Sequence, residues 1–158
     1  MRVGNIEAQR GEHVFGYLET ARSRSGLAPD VPVHLFNGTE PGPTLLVQGA
    51  IHGSEIIGSI GILNLVGKLD PAQLRGRVIA VPSVNRVGFE LSGRGSQVDG
   101  KDISRLFPGD PHGSVSDQVA AAYYEQCIRQ ADVMIDFHAG GQTAYERYVL
   151  FSAEKDPQ

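Results

Sequence analysis

Residues 44–50, Thr-Leu-Leu-Val-Gln-Gly-Ala, are almost continuously apolar, and a run of that kind reads as a central strand buried on both faces. A doubly buried strand needs layers packed on both sides of its sheet, so the run constrains everything around it. Residues 14–18 and 31–36 read as further strands, the second alternating Val31, Val33 and Leu35 with polar or turn residues. Pro41-Gly42-Pro43 is expected to force a loop before the central strand. After it, Ser54 is placed to N-cap a helix over 55–69, with Ile56, Ile60, Leu63 and Val66 at helical spacing. Gly58 and Gly61 weaken that helix, and close packing on the sheet is the expected compensation. Asp70-Pro71 ends it. Residues 77–81 form another strand, and 82–113 a long loop rich in Gly, Ser and Arg. Ser114-x-x-Asp117 resembles a capping box opening a helix to about residue 130, with Val119, Ala122, Tyr123 and Cys127 on one face. Residues 132–137 complete the set as a core strand.

This order predicts an α/β fold, a three-layer sandwich with a mixed, largely parallel central sheet. In such sheets, sites form beyond the carboxyl ends of the strands. Two motifs fall there: His52-Gly53-Ser54-Glu55 after the central run, and Asp136-Phe137-His138 at the end of the last strand. Two imidazoles and one carboxylate, with a fourth position open, are the donor set of hydrolytic zinc. H-x-x-E alone arises often by chance; its pairing with a distant D-x-H at another strand end gives it weight. His52, Glu55 and His138 are therefore the candidate ligands of one zinc ion. Asp136 shares a face with His138 by strand alternation, where it can orient the imidazole or line the cleft. The long loop carries Asn85, Arg86, Arg94, Asp102 and Arg105. One guanidinium near a metal suits the oxyanion of a tetrahedral intermediate, and another suits a substrate carboxylate. His13, His34 and His112 lack such company and read as structural, and Cys127 as a small buried hydrophobe. Neither a glycine-rich phosphate loop nor a G-x-S-x-G elbow occurs.

Composition narrows the partners. A net charge of −4 over 158 residues offers no electrostatic grip on nucleic acid or anionic lipid. The longest apolar stretch, 56–66, is broken by Gly58, Ser59, Gly61 and Asn64 and is too short for a bilayer. Arg2, Glu7, Arg10, Glu12 and Glu19 near the start do not make a secretory signal. A single cysteine agrees with a reducing compartment, so a cytoplasmic protein acting on a small molecule is expected.

Together the chain resembles the succinylglutamate desuccinylase/aspartoacylase family, zinc deacylases related to the metallocarboxypeptidases. The carrying segments are Gly42-Pro43-Thr44-Leu45-Leu46, Gly49-Ala50-Ile51-His52-Gly53-Ser54-Glu55, Val81-Pro82-Ser83-Val84-Asn85, Arg94, the run from Asp99 through Asp102 and Arg105 to Gly109, and Asp136-Phe137-His138. The resemblance implies a zinc-carboxypeptidase-like fold and one zinc held by His52, Glu55 and His138. It implies that Arg94 assists the scissile carbonyl, and that Asn85, Ser104 and Arg105 bind substrate, Arg105 through a carboxylate. Ser104 stands where the family usually has Asn, and Arg86 where Pro is common; the latter would add charge to the rim. The family's general base is a glutamate on a strand well beyond the last ligand, and neither Glu146 nor Glu154 matches it. Residues 1–158 are thus expected to be the metal-binding front half of a deacylase domain, truncated on its C-terminal side. Residues 148–151 would be an unpaired strand that invites self-association through the sheet edge. The expected activity is zinc-dependent removal of an acyl group from the nitrogen of an amino acid or similar small amine. A zinc carboxypeptidase acting on peptides, or a non-catalytic zinc-binding fragment, would use the same triad.

Overall fold

The structure, a computed structural model, describes residues 1–140. Two short strands, β1 (Arg2–Val3) and β2 (Ile6–Glu7), pair with each other. The main sheet contains β3 (Glu12–Leu18), β4 (Val31–Asn37), β5 (Glu40–Gly49), β6 (Arg75–Val81) and β7 (Val133–Phe137), in the order β3-β4-β6-β5-β7. Both β3 and β6 run against β4, while β5 and β7 run with β6, so four of the five strands point one way. The helices are α1 (Ile57–Val66), α2 (Arg86–Glu90) and α3 (Val115–Gln126).

The continuous apolar character of β5 has the expected cause. Leu46 faces a core completed by Ile79, Val81, Val119 and Tyr123 of α3, and Cys127 just past that helix. Val47 faces the opposite core with Phe36, Val78, Ala80 and Ile62 of α1. Two cores on one sheet make three layers. Pro41-Gly42-Pro43 does not form a loop, however. It lies within β5, where the pairing with β6 is irregular between Glu40 and Thr44. Gly42 is needed there because an added Cβ would come within 2.9 Å of the Gly76 nitrogen.

The helix after β5 differs from its sequence reading in two ways. It begins at Ile57, with Ile56 rather than Ser54 at the N-cap and no side-chain cap. Glu55 lies before the helix in a tight turn, its backbone N–H donating to His52 O at 2.9 Å. The inward face is also the small one: Gly58, Ser59 and Ile62 are buried, while Ile57, Ile60 and Leu63 are 67%, 51% and 51% exposed. Apolar residues on every side leave periodicity unable to choose a face. Close approach chooses it, since the Ser59 hydroxyl donates to Pro82 O at 2.6 Å and a Cβ on Gly58 would lie 2.5 Å from that of Phe137.

The two helix glycines therefore have opposite expected responses. Gly61 is exposed with nothing within 4 Å of an added Cβ, so Gly61→Ala should stabilise the fold by about 0.5–1 kcal/mol. Gly58→Ala forces Phe137 aside and should destabilise by about 1–3 kcal/mol. Denaturant melts of the two variants check this; shifts of the same sign would contradict the packing.

Sequence reading merged α2 and a 3-10 turn at Ile103–Arg105 into one loop. Each has a local cap, Asn85 accepting from Gly88 N and Asp102 from Ser104 N. The predicted capping box is present, with Ser114 N donating to Asp117 Oδ2 at 2.9 Å, and a 3-10 turn at Ile128–Gln130 follows α3. Cys127 is buried, as expected, and burial raises its thiol pKa. Among the described residues no helix is long and apolar enough to cross a membrane. The expected strand over 148–151, the edge for self-association, Glu146 and Glu154 lie outside the described residues.

Candidate metal centre

Strands β6, β5 and β7 are parallel neighbours, so their carboxyl ends meet on one rim. Past Gly49 the chain turns sharply through Ala50, buried and left-handed at φ 46°. Gly53 then packs directly on the backbone of Gly88 in α2, a contact that any Cβ would block. Its N–H donates to Arg94 O at 3.3 Å, and Asn85 Nδ2 donates to the same carbonyl at 3.4 Å. The turn thus docks His52 and Glu55 against the long loop.

Glu55 is the hub. Its Oε1 lies 3.1 Å from His52 Nδ1 and 3.1 Å from Arg94 Nη1. Its Oε2 lies 3.0 Å from His138 Nδ1 and accepts from Ala139 N at 2.9 Å. Both imidazoles turn Nδ1 toward Glu55 and Nε2 toward a second carboxylate: His52 to Asp102 at 3.3 Å, His138 to Asp136 at 3.0 Å. One ligand atom from each of His52, Glu55 and His138 falls within 4.8 Å of the others. The residues fit a metal on a further observation. His52 Nδ1 is buried and, despite its nearness to Glu55, has no hydrogen-bond partner. A lone pair held inward by a carboxylate on the opposite nitrogen is how ligand histidines are prepared.

Asp136 supports His138 as strand alternation suggested. Asp102 is the residue that sequence reading left without a role. Burial resists its ionisation, yet the Ser104 hydroxyl and the nearby His52 and Arg94 together lower its pKa, keeping it an acceptor. Its signal was the capping pattern Asp-x-Ser ahead of Arg105, which marks a turn but not the histidine it serves.

The expected substrate-binding residues divide. Arg105 projects outward, 80% exposed, with Asp102 Oδ2 3.5 Å away. Asn85 is buried and caps α2. The Ser104 hydroxyl donates to Asp102 at 2.7 Å and lies 3.3 Å from His52 Nε2, on the side of the ring away from Glu55. Arg86 sits over the Tyr17 ring of β3, 5.1 Å from the centroid. His13 and His34 pair with each other at 3.1 Å on β3 and β4, away from the centre.

Asp99 fastens the long loop to α3, accepting from Ser114 Oγ at 2.6 Å, Ser116 Oγ at 2.6 Å and Ser116 N at 2.8 Å. Burial raises its pKa, but these bonds outweigh that effect and hold it at about 2 against an ordinary 3.8. A carboxyl depressed on folding adds stability above its unfolded pKa and loses it as pH falls through the folded one. Stability should therefore decline between about pH 4 and pH 2. Thermal melts of Asp99→Asn should show a shallower decline over that window; an unchanged acid profile would contradict the anchor.

A helix-flanked, mostly parallel sheet with a His-Glu-His cluster on its carboxyl rim defines an α/β domain able to hold a metal. The family model of the succinylglutamate desuccinylase/aspartoacylase catalytic domain matches residues 41–158, and the chain belongs to that family. It is 35% identical to N-alpha-acetyl-L-2,4-diaminobutyric acid deacetylase of Halomonas elongata, over 88% of this chain and 41% of the relative. Among solved structures, a succinylglutamate desuccinylase/aspartoacylase from Rhodobacter sphaeroides superposes with TM-score 0.80 at 34% identity, covering 89% of this chain and 44% of that one. The product-bound ectoine utilization protein EutE (DoeB) from Ruegeria pomeroyi gives TM-score 0.78 at 29% identity, over 86% and 42%. The chain thus spans less than half the length of these relatives.

Proposed function

We propose that this chain is the metal-binding part of a zinc-dependent hydrolase that removes an acyl group from the nitrogen of an amino acid or similar small amine. The observation that carries the reading is the pair of inward-facing Nδ1 atoms around Glu55, each imidazole backed by its own carboxylate. His52, Glu55 and His138 would hold one zinc ion, which supplies Lewis acidity toward water and toward the acyl carbonyl. Arg94, which is 60% exposed and pairs with Glu55, would neutralise charge developing on the acyl oxygen. Arg105 reaches outward to grip the substrate carboxylate, with Ser104 and Asn85 supporting the rim. Support for the substrate class comes from the Halomonas relative, named for deacetylating an N-acetyl amino acid. The group that passes a proton to the leaving amine is proposed to lie beyond these residues, in a cytoplasmic protein of the relatives' length.

The test compares zinc-loaded protein of that length with residues 1–158 alone, on N-acetyl and N-succinyl amino acids and on short peptides. Hydrolysis of the N-acyl amino acids by the longer chain is expected, with metal binding but little turnover by the shorter. Preferential cleavage of peptides would contradict the reading.

A further inference from the structure

The histidine pair of β3 and β4 has no part in the proposed reaction, and β6 separates it from β5 and the metal centre. β3 and β4 are antiparallel, with His13 opposite Phe36 and Phe15 opposite His34, so the two histidines are diagonal neighbours on one face of the sheet. Packing fixes each ring. That of His13 lies flat on Phe36, with centroids 4.0 Å apart and planes 2° from parallel, and that of His34 tilts on Phe15 at 4.6 Å. His13 is exposed and His34 half-buried, so ions in solution reach both. The facing nitrogens, His13 Nε2 and His34 Nδ1, are 3.1 Å apart. As a hydrogen bond, that contact uses one lone pair and one N–H. The outward nitrogens, His13 Nδ1 and His34 Nε2, make no hydrogen bond among the described residues. Both protons can therefore reside there, which turns two lone pairs toward one point. Two metal–nitrogen bonds of about 2.0–2.1 Å meeting at about 100° span the observed separation.

We propose that His13 and His34 form a second metal site, for copper(II), on the open face of the sheet. Copper(II) heads the affinity order of the divalent ions at nitrogen donors, and its tetragonal geometry accepts two adjacent imidazoles. Among the described residues no carboxylate or thiolate completes a group of three ligands here, so the other positions fall to water or to a donor on another molecule. Zinc stands below copper in the same order, and two exposed donors hold it too loosely to survive desalting. The site is independent of the proposed hydrolysis, and its test does not require activity.

Copper(II) is titrated into tag-free, metal-free His52→Ala/His138→Ala protein, whose main centre has lost two ligands, and electron paramagnetic resonance counts the bound imidazoles. One copper per chain with two equatorial imidazoles is expected. His13→Gln and His34→Gln, added singly, should each weaken binding by at least about tenfold and leave one imidazole, since losing a ligand costs no less than losing a group that steadies one. His112→Gln, which removes another exposed histidine, should change neither reading. Should the double background not fold, wild type given two equivalents takes its place, and each substitution in the pair should then release one of two coppers. The imidazole count on the unsubstituted pair needs no variant of β3 or β4, so it decides the question even if His13→Gln does not fold. No copper, or a single imidazole, at the unsubstituted pair overturns the proposal. So does unchanged binding in folded His13→Gln or His34→Gln protein, or an equal loss in His112→Gln.

Discussion

Replacing both His52 and His138 by Ala is expected to reduce zinc from about one ion per chain to traces after desalting, with affinity lowered far more than a hundredfold. The magnitude follows from a comparison. Groups that merely steady a ligand histidine contribute 10–100-fold to metal affinity, and these two side chains would supply two of three protein ligands. Glu55 would remain, still in contact with Arg94 and the Ala139 amide, so the double variant keeps its buried carboxylate partnered. Loss of metal should therefore come without collapse of the fold. Elemental analysis and circular dichroism on the same preparation separate the two. Stoichiometric zinc in a folded double variant would remove the assignment.

The second large effect concerns the arginines. Arg94 lies 3.1 Å from Glu55, beside the place where an acyl oxygen would gain charge, whereas Arg105 extends into solvent from the 3-10 turn behind His52. Arg94→Ala in active protein should lower kcat by about 10²–10³-fold with little change in KM, because the interaction grows only in the transition state. Arg105→Ala should mainly raise KM for substrates bearing a carboxylate, the signature of binding that is uniform along the reaction. Equal, small effects of the two substitutions would contradict both roles.

Much of this arrangement is legible in the sequence. The nearly continuous apolar run of β5 announced a strand covered on both faces, and α1 and α3 cover it. Two histidine motifs at strand ends predicted a shared rim, and parallel pairing of β5 with β6 and β7 supplies it. What stayed hidden was decided by contacts distant in sequence. The inward face of α1 is set by Phe137 meeting Gly58, a pairing that no periodicity encodes. Ser54 looks like a cap, but closure of Glu55 N on His52 O delays the helix to Ile57. Pro41-Gly42-Pro43 reads as a loop because prolines lack donors, yet an irregular stretch of pairing admits it to β5. Asp102 is fifty residues from His52, and its capping pattern describes only its own turn. Asp136 was found because its partner is two residues away.

The central claim is that one metal sits among His52, Glu55 and His138. Diffraction from zinc-loaded crystals, collected on both sides of the zinc absorption edge, tests it most directly. The account predicts one strong anomalous peak bonded to His52 Nδ1, His138 Nδ1 and a Glu55 carboxylate oxygen, at about 2.0–2.2 Å from each. A peak elsewhere, or none at this centre with zinc in excess, would contradict it.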